Sequence, residues 1–181
     1  MRLLKKIFIL SIIFSSTFFL FSQELPRGYR GINLGMSLEN TKSSLLDKPE
    51  FGYHGDRDVS LLSGENRVLI ETDAMYGHGS PFLDRCYFQF SDDFLYVITI
   101  NINQERMDYY SVFTTLTKKY GNPDSLNPQT AKWENDSTIL YLEKPLTLKY
   151  IDKEVFNKTE LDSQISPAPV EMTKEMFLDS L

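Results

Sequence analysis

Between Cys86 and Asn103 the chain alternates with period two, and no other stretch limits its fold as tightly. Cys86, Phe88 and Phe90 alternate with Tyr87 and Gln89, and Ser91-Asp92-Asp93 supplies a tight turn. Phe94, Tyr96, Ile98, Ile100 and Ile102 then point one way, and Leu95, Val97, Thr99, Asn101 and Asn103 the other. Successive side chains of a strand face opposite sides of a sheet, and β-branched and aromatic residues suit that surface. The stretch therefore predicts an antiparallel hairpin with one buried face. Its far face turns polar towards Asn101 and Asn103.

The flanking segments extend this sheet. Val59–Leu62 and Arg67–Thr72 read as strands joined by Ser63-Gly64-Glu65-Asn66. Ala131–Glu134, Thr138–Glu143 and Leu146–Ile151 read as strands joined at Asn135-Asp136 and Lys144-Pro145. Two helices precede these groups. Ser37 is a good N-cap for a helix from about Leu38 to Leu46, with Met36 as a staple residue; Leu38, Thr41 and Leu45 share a face, and Pro49 bars continuation. Asp108 can cap a second helix, in which Tyr109, Phe113, Leu116 and Tyr120 form an amphipathic stripe. Lys118 and Lys119 suit its last turn, Gly121 ends it, and Pro123 follows.

The expected fold class is α+β, an antiparallel sheet with two helices packed on one face. The order helix–loop–strand–turn–strand occurs twice, which suggests a tandem duplication over residues 34–103 and 104–151. Residues 24–33 carry the breakers Pro26, Gly28 and Gly31 and read as a lead-in, and 50–57 read as a loop. Residues 152–181, with seven acids, three bases and Ser166-Pro167-Ala168-Pro169, read as an acidic, partly disordered tail. Within that tail, Val170–Leu181 has near-helical spacing.

The first 23 residues read as an address. Arg2, Lys5 and Lys6 precede an apolar run from Ile7 to Phe21, and Ser22, Gln23 and Glu24 follow. The run is short of the ~20 residues that span a hydrocarbon core. It matches a secretory signal peptide, with a retained N-terminal anchor as the alternative. No cysteine stands near it, which argues against lipoprotein processing. Without these residues 16 Lys+Arg face 25 Asp+Glu, a net charge of −9. That charge is wrong for nucleic acid and does not favour an anionic lipid surface. After cleavage no membrane span remains in the sequence. The remaining ~158 residues bury roughly 70% of their unfolded surface and need no disulfide, in keeping with the single Cys86. Cys86 sits among core positions and reads as a small buried hydrophobe.

Three groups of residues merit weighing as sites. His54-Gly55-Asp56-Arg57-Asp58 and Asp73-Ala74-Met75-Tyr76-Gly77-His78-Gly79-Ser80 contain both histidines of the chain. If the loops meet, His54, Asp56, Asp73 and His78 offer a His₂-carboxylate metal set, although their spacing matches no tight ligand motif. The second loop lacks the Walker lysine and is not G-x-S-x-G. Asp73, His78 and Ser80 lie too close in sequence to converge as a triad does. Trp133, Tyr141 and Tyr150 on the late strands are either core or anchors of a protein-binding face. No motif implies a cofactor or catalysis.

Leu34-Gly35-Met36-Ser37 opening one helix and Tyr120-Gly121-Asn122-Pro123-Asp124 closing the other resemble phrases of small exported envelope proteins. These are the small lipoprotein of the outer-membrane barrel-assembly machinery and its fold relatives, the tandem-repeat β-lactamase-inhibitor proteins. The resemblance implies a helix-on-sheet module that binds other proteins and has no active site. The expected protein is periplasmic or secreted, non-catalytic, and bound to another envelope protein through its sheet face or Gly-rich loops. The alternatives are a metal- or small-ligand-binding protein using the loops at 54–58 and 73–80, or an N-terminally anchored envelope protein.

Overall fold

A computed structural model describes residues 24–62, 66–75 and 79–158. The expected signal peptide, the turn at 63–65, the loop residues Tyr76, Gly77 and His78, and the tail beyond 158 lie outside the described residues.

The chain is α+β. A short hairpin, β1 (Gly28–Tyr29) and β2 (Ile32–Asn33), leads into helix α1 (Leu38–Leu46). Four strands follow: β3 (Val59–Leu61), β4 (Arg67–Asp73), β5 (Leu83–Ser91) and β6 (Phe94–Ile102). Helix α2 (Tyr109–Tyr120) then precedes β7 (Ser125–Leu126), β8 (Thr130–Glu134), β9 (Thr138–Glu143) and β10 (Thr147–Asp152). Strands β3 to β10 form one antiparallel sheet in the order β3-β4-β5-β6-β10-β9-β8-β7. Each half is thus a helix followed by a four-stranded meander. The halves join where β6 pairs with β10, in the register Ile98↔Tyr150 and Ile100↔Leu148.

Local chemistry accounts for the helices. The Ser37 hydroxyl accepts from Asn40 N at 3.3 Å and the Asp108 carboxylate from Ser111 N at 2.9 Å, satisfying amides that have no helical partner. The Ser111 contacts also hold the Asp108 carboxyl below its ordinary range. Leu45 and Thr41 of α1 are buried, as is Leu116 of α2, and Tyr109, Val112 and Phe113 pack against the same core. Both helices therefore cover one face of the sheet. The core between them holds Phe51, Phe88, Phe90, Ile98, Ile100, Leu140, Leu142 and Trp133. Each such side chain contributes about 1.5–3 kcal/mol by leaving water.

Four features depart from the sequence reading. The lead-in pairs as β1–β2, because Arg30 and Gly31 both take positive φ and close a two-residue turn. The loop at 50–57 contains a 3₁₀ turn, Pro49–Phe51, which drives Phe51 into the core between Tyr29 and Phe88. In β6 the parity slips: Phe90 pairs with Leu95 and Gln89 with Val97, so Tyr96 is the extra residue of a bulge. Leu95 therefore shares the core with Ile98 and Ile100, Tyr96 turns to the other face, and Phe94 is exposed.

The fourth departure concerns residues expected to begin the tail. Residues 153–158 are helical. Asp152 caps them, its Oδ1 accepting from Val155 N at 3.1 Å. Val155 and Phe156 pack on Tyr96, Val97, Ile139 and Ile151, a second small cluster on the face away from α1 and α2.

Candidate functional surface

Period two sends every other strand residue to the face opposite the helices, and the register sorts these residues into transverse rows. One row reads Leu69, Gln89, Val97, Ile151, Ile139 and Glu134 across β4, β5, β6, β10, β9 and β8. The helical residues 153–158 lie over its apolar centre. The next row reads Glu71, Tyr87, Thr99, Lys149, Tyr141 and Lys132 across the same strands. All six are half-buried, as expected of side chains that stand side by side on a sheet with their tips in solvent. A third row carries Asp73 with Arg85 on one side and Asn101, Thr147 and Glu143 on the other.

The charges of these rows are paired in the plane of the sheet. Arg85 reaches Glu71 at 2.8 Å, Lys149 reaches Glu143 at 2.6 Å and Lys132 reaches Glu134 at 3.1 Å. Lys132 and, further off, Lys153 hold the Glu134 carboxyl below its ordinary range. The Thr147 hydroxyl donates to Asn101 Oδ1 at 2.8 Å. Pairs whose charged tips lie in solvent, as these do, contribute only about 1 kcal/mol or less each, so exchanging them for a partner's charges costs the fold little.

Of the three aromatic residues singled out in the sequence, one lies on this surface. Tyr141 stands in the Tyr87 row and borders the second cluster. Trp133 is only 2% exposed. It lies in the main core, where its Nε1–H donates to Gly121 O at 2.9 Å, and so it is no surface anchor. Tyr150 is likewise a core residue, because even-numbered positions of β10 face the helices. Tyr87 was missed as a surface residue; its alternation with Phe88 pointed to the face it takes.

The two Gly-rich loops do meet. Gly52 takes φ +67°, and a Cβ there would stand 2.1 Å from the Asp73 carbonyl oxygen, so only glycine fits. Ser80 N donates to Glu50 O at 2.9 Å across the same junction. The expected metal ligands are nevertheless engaged separately. His54 turns back on Asp58, with Nδ1 3.3 Å from Oδ2 and its amide donating to the same oxygen. Asp56 pairs with Lys42 at 3.1 Å, and Asp73 accepts from Met75 N at 3.0 Å. Among the described residues no three His, Cys, Asp or Glu side chains gather as a metal set requires. His78 lies outside the described residues. Cys86 is buried, and burial pushes its thiol up to about 12.

Among the described residues no helix is long and apolar enough to cross a membrane. Residues 27–162 match the model of the TP0088 domain, a span that takes in α1, α2 and strands β1 to β10. No curated protein and no solved structure matches the chain.

Proposed function

The chain belongs to the TP0088 domain family, and we propose that it is a non-catalytic, exported envelope protein that binds another protein through the sheet face opposite its helices. The observation that carries this reading is the transverse row Glu71, Tyr87, Thr99, Lys149, Tyr141 and Lys132. It sets two tyrosines on a rigid sheet, flanked by charges of both signs. Tyrosine combines a large apolar body with a polar tip and loses little rotamer freedom on binding, which suits it to anchor an interface. The in-plane ion pairs are weak enough to be re-paired by a partner. Export rests on the basic, apolar and polar succession of residues 1–23.

A photo-crosslinking residue placed at Tyr87, Thr99 or Lys149 in cells tests the reading, with Ser43 and Thr114 as exposed positions on the helix side. The expected result is one envelope protein joined to the chain from the sheet-face positions and absent from the two controls. Equal labelling from both sides, or none from the sheet face, removes this surface as the binding site. The mass of the recovered bait reports whether residues 1–23 have been cleaved.

A further inference from the structure

The side of the molecule away from this surface carries a concavity. The β1–β2 hairpin and α2 stand apart over β10 and leave a cleft of about 410 Å³. Leu148 and Tyr150 form its floor, Tyr29 one wall, and Val112, Leu116 and Tyr120 the other. Its size falls within the ~300–1,000 Å³ of small-molecule sites.

The lining is graded along α2. Near the start of the helix it is Met107 and Val112; near the end it is Lys119 and Tyr120, with Arg30 entering from the hairpin turn. No carboxylate lines the cleft, although acids outnumber bases in the chain by 25 to 19. Arg30 lies over the Tyr29 ring and reaches Glu50 only at 3.4 Å, a partial neutralisation. Lys119 forms no ion pair among the described residues. Tyr150 is 4% exposed, and its hydroxyl forms no hydrogen bond with another described residue. A phenol O–H so placed usually finds a partner, and here the space beside it is the cleft. Burial and the neighbouring Tyr120 and Tyr29 push its ionisation upward, so at neutral pH it is a donor.

We propose that this cleft binds one amphiphilic monoanion, a carboxylate on an unbranched apolar body of medium chain length. The carboxylate accepts from the Tyr150 hydroxyl and faces Lys119 and Arg30, and the body lies along Leu116, Val112 and Leu148. Two kinds of observation carry this: a lining with two cations and no carboxylate on an acidic protein, and a buried tyrosine that borders the cleft. The site is distinct from the sheet face, so either proposal can fail without the other.

Calorimetric titration of the purified protein with decanoate, decanol and decyltrimethylammonium tests it. Decanoate is expected to saturate a single site and raise the melting temperature, while the cation shows no saturation and decanol binds much more weakly. Tyr150→Phe keeps the ring and is expected to weaken decanoate by about fivefold, the effect of one hydrogen bond. Lys119→Glu, at an exposed position, is expected to abolish it. Thr115→Trp, on the exposed rim, is expected to block the mouth while the unliganded melting temperature stays at that of the parent. A response that scales with chain length regardless of head group is non-specific partitioning and overturns the proposal. So does unchanged decanoate binding in Lys119→Glu and Thr115→Trp.

Discussion

Replacing Asp152 by alanine removes two contacts made by one carboxylate. Its Oδ2 pairs with the Arg27 guanidinium, tying the segment before β1 to the end of β10. Its Oδ1 caps the helical residues 153–158. Loss of an N-cap costs about 1 kcal/mol. The pair lies between two limits: about 3–5 kcal/mol for breaking a fully buried pair and ~0–1 kcal/mol for an exposed one. With the Asp152 side chain 12% exposed and that of Arg27 40%, about 1–2 kcal/mol is appropriate, since water screens the arginine side. The expected total is about 2–3 kcal/mol. Unfolding entropy near 2.1 cal/mol/K per residue over about 130 residues converts this to a melting temperature lowered by roughly 7–11 °C. Thermal and urea unfolding followed by circular dichroism measure it. Asp152→Asn retains a capping oxygen and loses the charge, so it is expected to recover about 1 kcal/mol of the alanine loss. Arg27→Met is expected to cost about 1–2 kcal/mol and to be non-additive with Asp152→Asn, because both remove one interaction. An alanine variant within about 0.5 kcal/mol of the parent, the range of an ordinary surface substitution, refutes the assignment.

Other outcomes follow from the same physics. Asp93 holds φ 70° in the β5–β6 turn while its Oδ1 accepts from Leu38 N at 3.1 Å. Asp93→Ala is expected to cost about 2 kcal/mol in urea unfolding and Asp93→Gly about 1 kcal/mol less, since glycine bears the left-handed backbone without strain; an equal cost for both contradicts this. The buried Cys86 thiol is held protonated up to about 12 from an ordinary 9.0. Between those values the unfolded chain has released a proton that the folded chain still holds. The stabilisation is therefore complete below about pH 9 and is lost as pH rises, at up to about 1.4 kcal/mol per pH unit. Cys86→Ala is expected to flatten that part of the alkaline stability profile, and an unchanged slope argues against a buried neutral thiol. Native Cys86 is also expected to resist iodoacetamide until the protein unfolds, as followed by mass spectrometry.

Much of this fold follows from short-range chemistry. Ser37 and Asp108 announce their helices because a cap needs only a side-chain oxygen three residues from an orphan amide. The β5–β6 hairpin is visible because period two and a two-residue turn are local patterns. What escaped the sequence depends on residues far apart in the chain. The Tyr96 bulge shifts the parity of β6, and nothing within β6 itself marks the extra residue. Val155 and Phe156 look like part of a polar tail until Val97, Ile139 and Ile151 arrive from three strands to receive them.

The candidate sites divide in the same way. Alternation divides the residues of each strand between two faces, because side-chain direction along a strand is a local property; the β9–β10 register, with Tyr141 opposite Lys149, is what sets Tyr141 and Tyr150 on opposite faces. Which side the helices cover is a tertiary matter: it places Tyr150 and Trp133 in the core and leaves Tyr141 on the open face, in the same row as Tyr87. The β6–β10 pairing that joins the halves brings the Tyr87 row together. The cleft requires Tyr29, Leu116 and Tyr150, distant in sequence, to meet beneath a hairpin held by Arg27 and Asp152. Backbone period and capping act within a few residues of each other and can be read along the chain. The pairing of surfaces is decided by the burial of apolar area, a property of the folded whole.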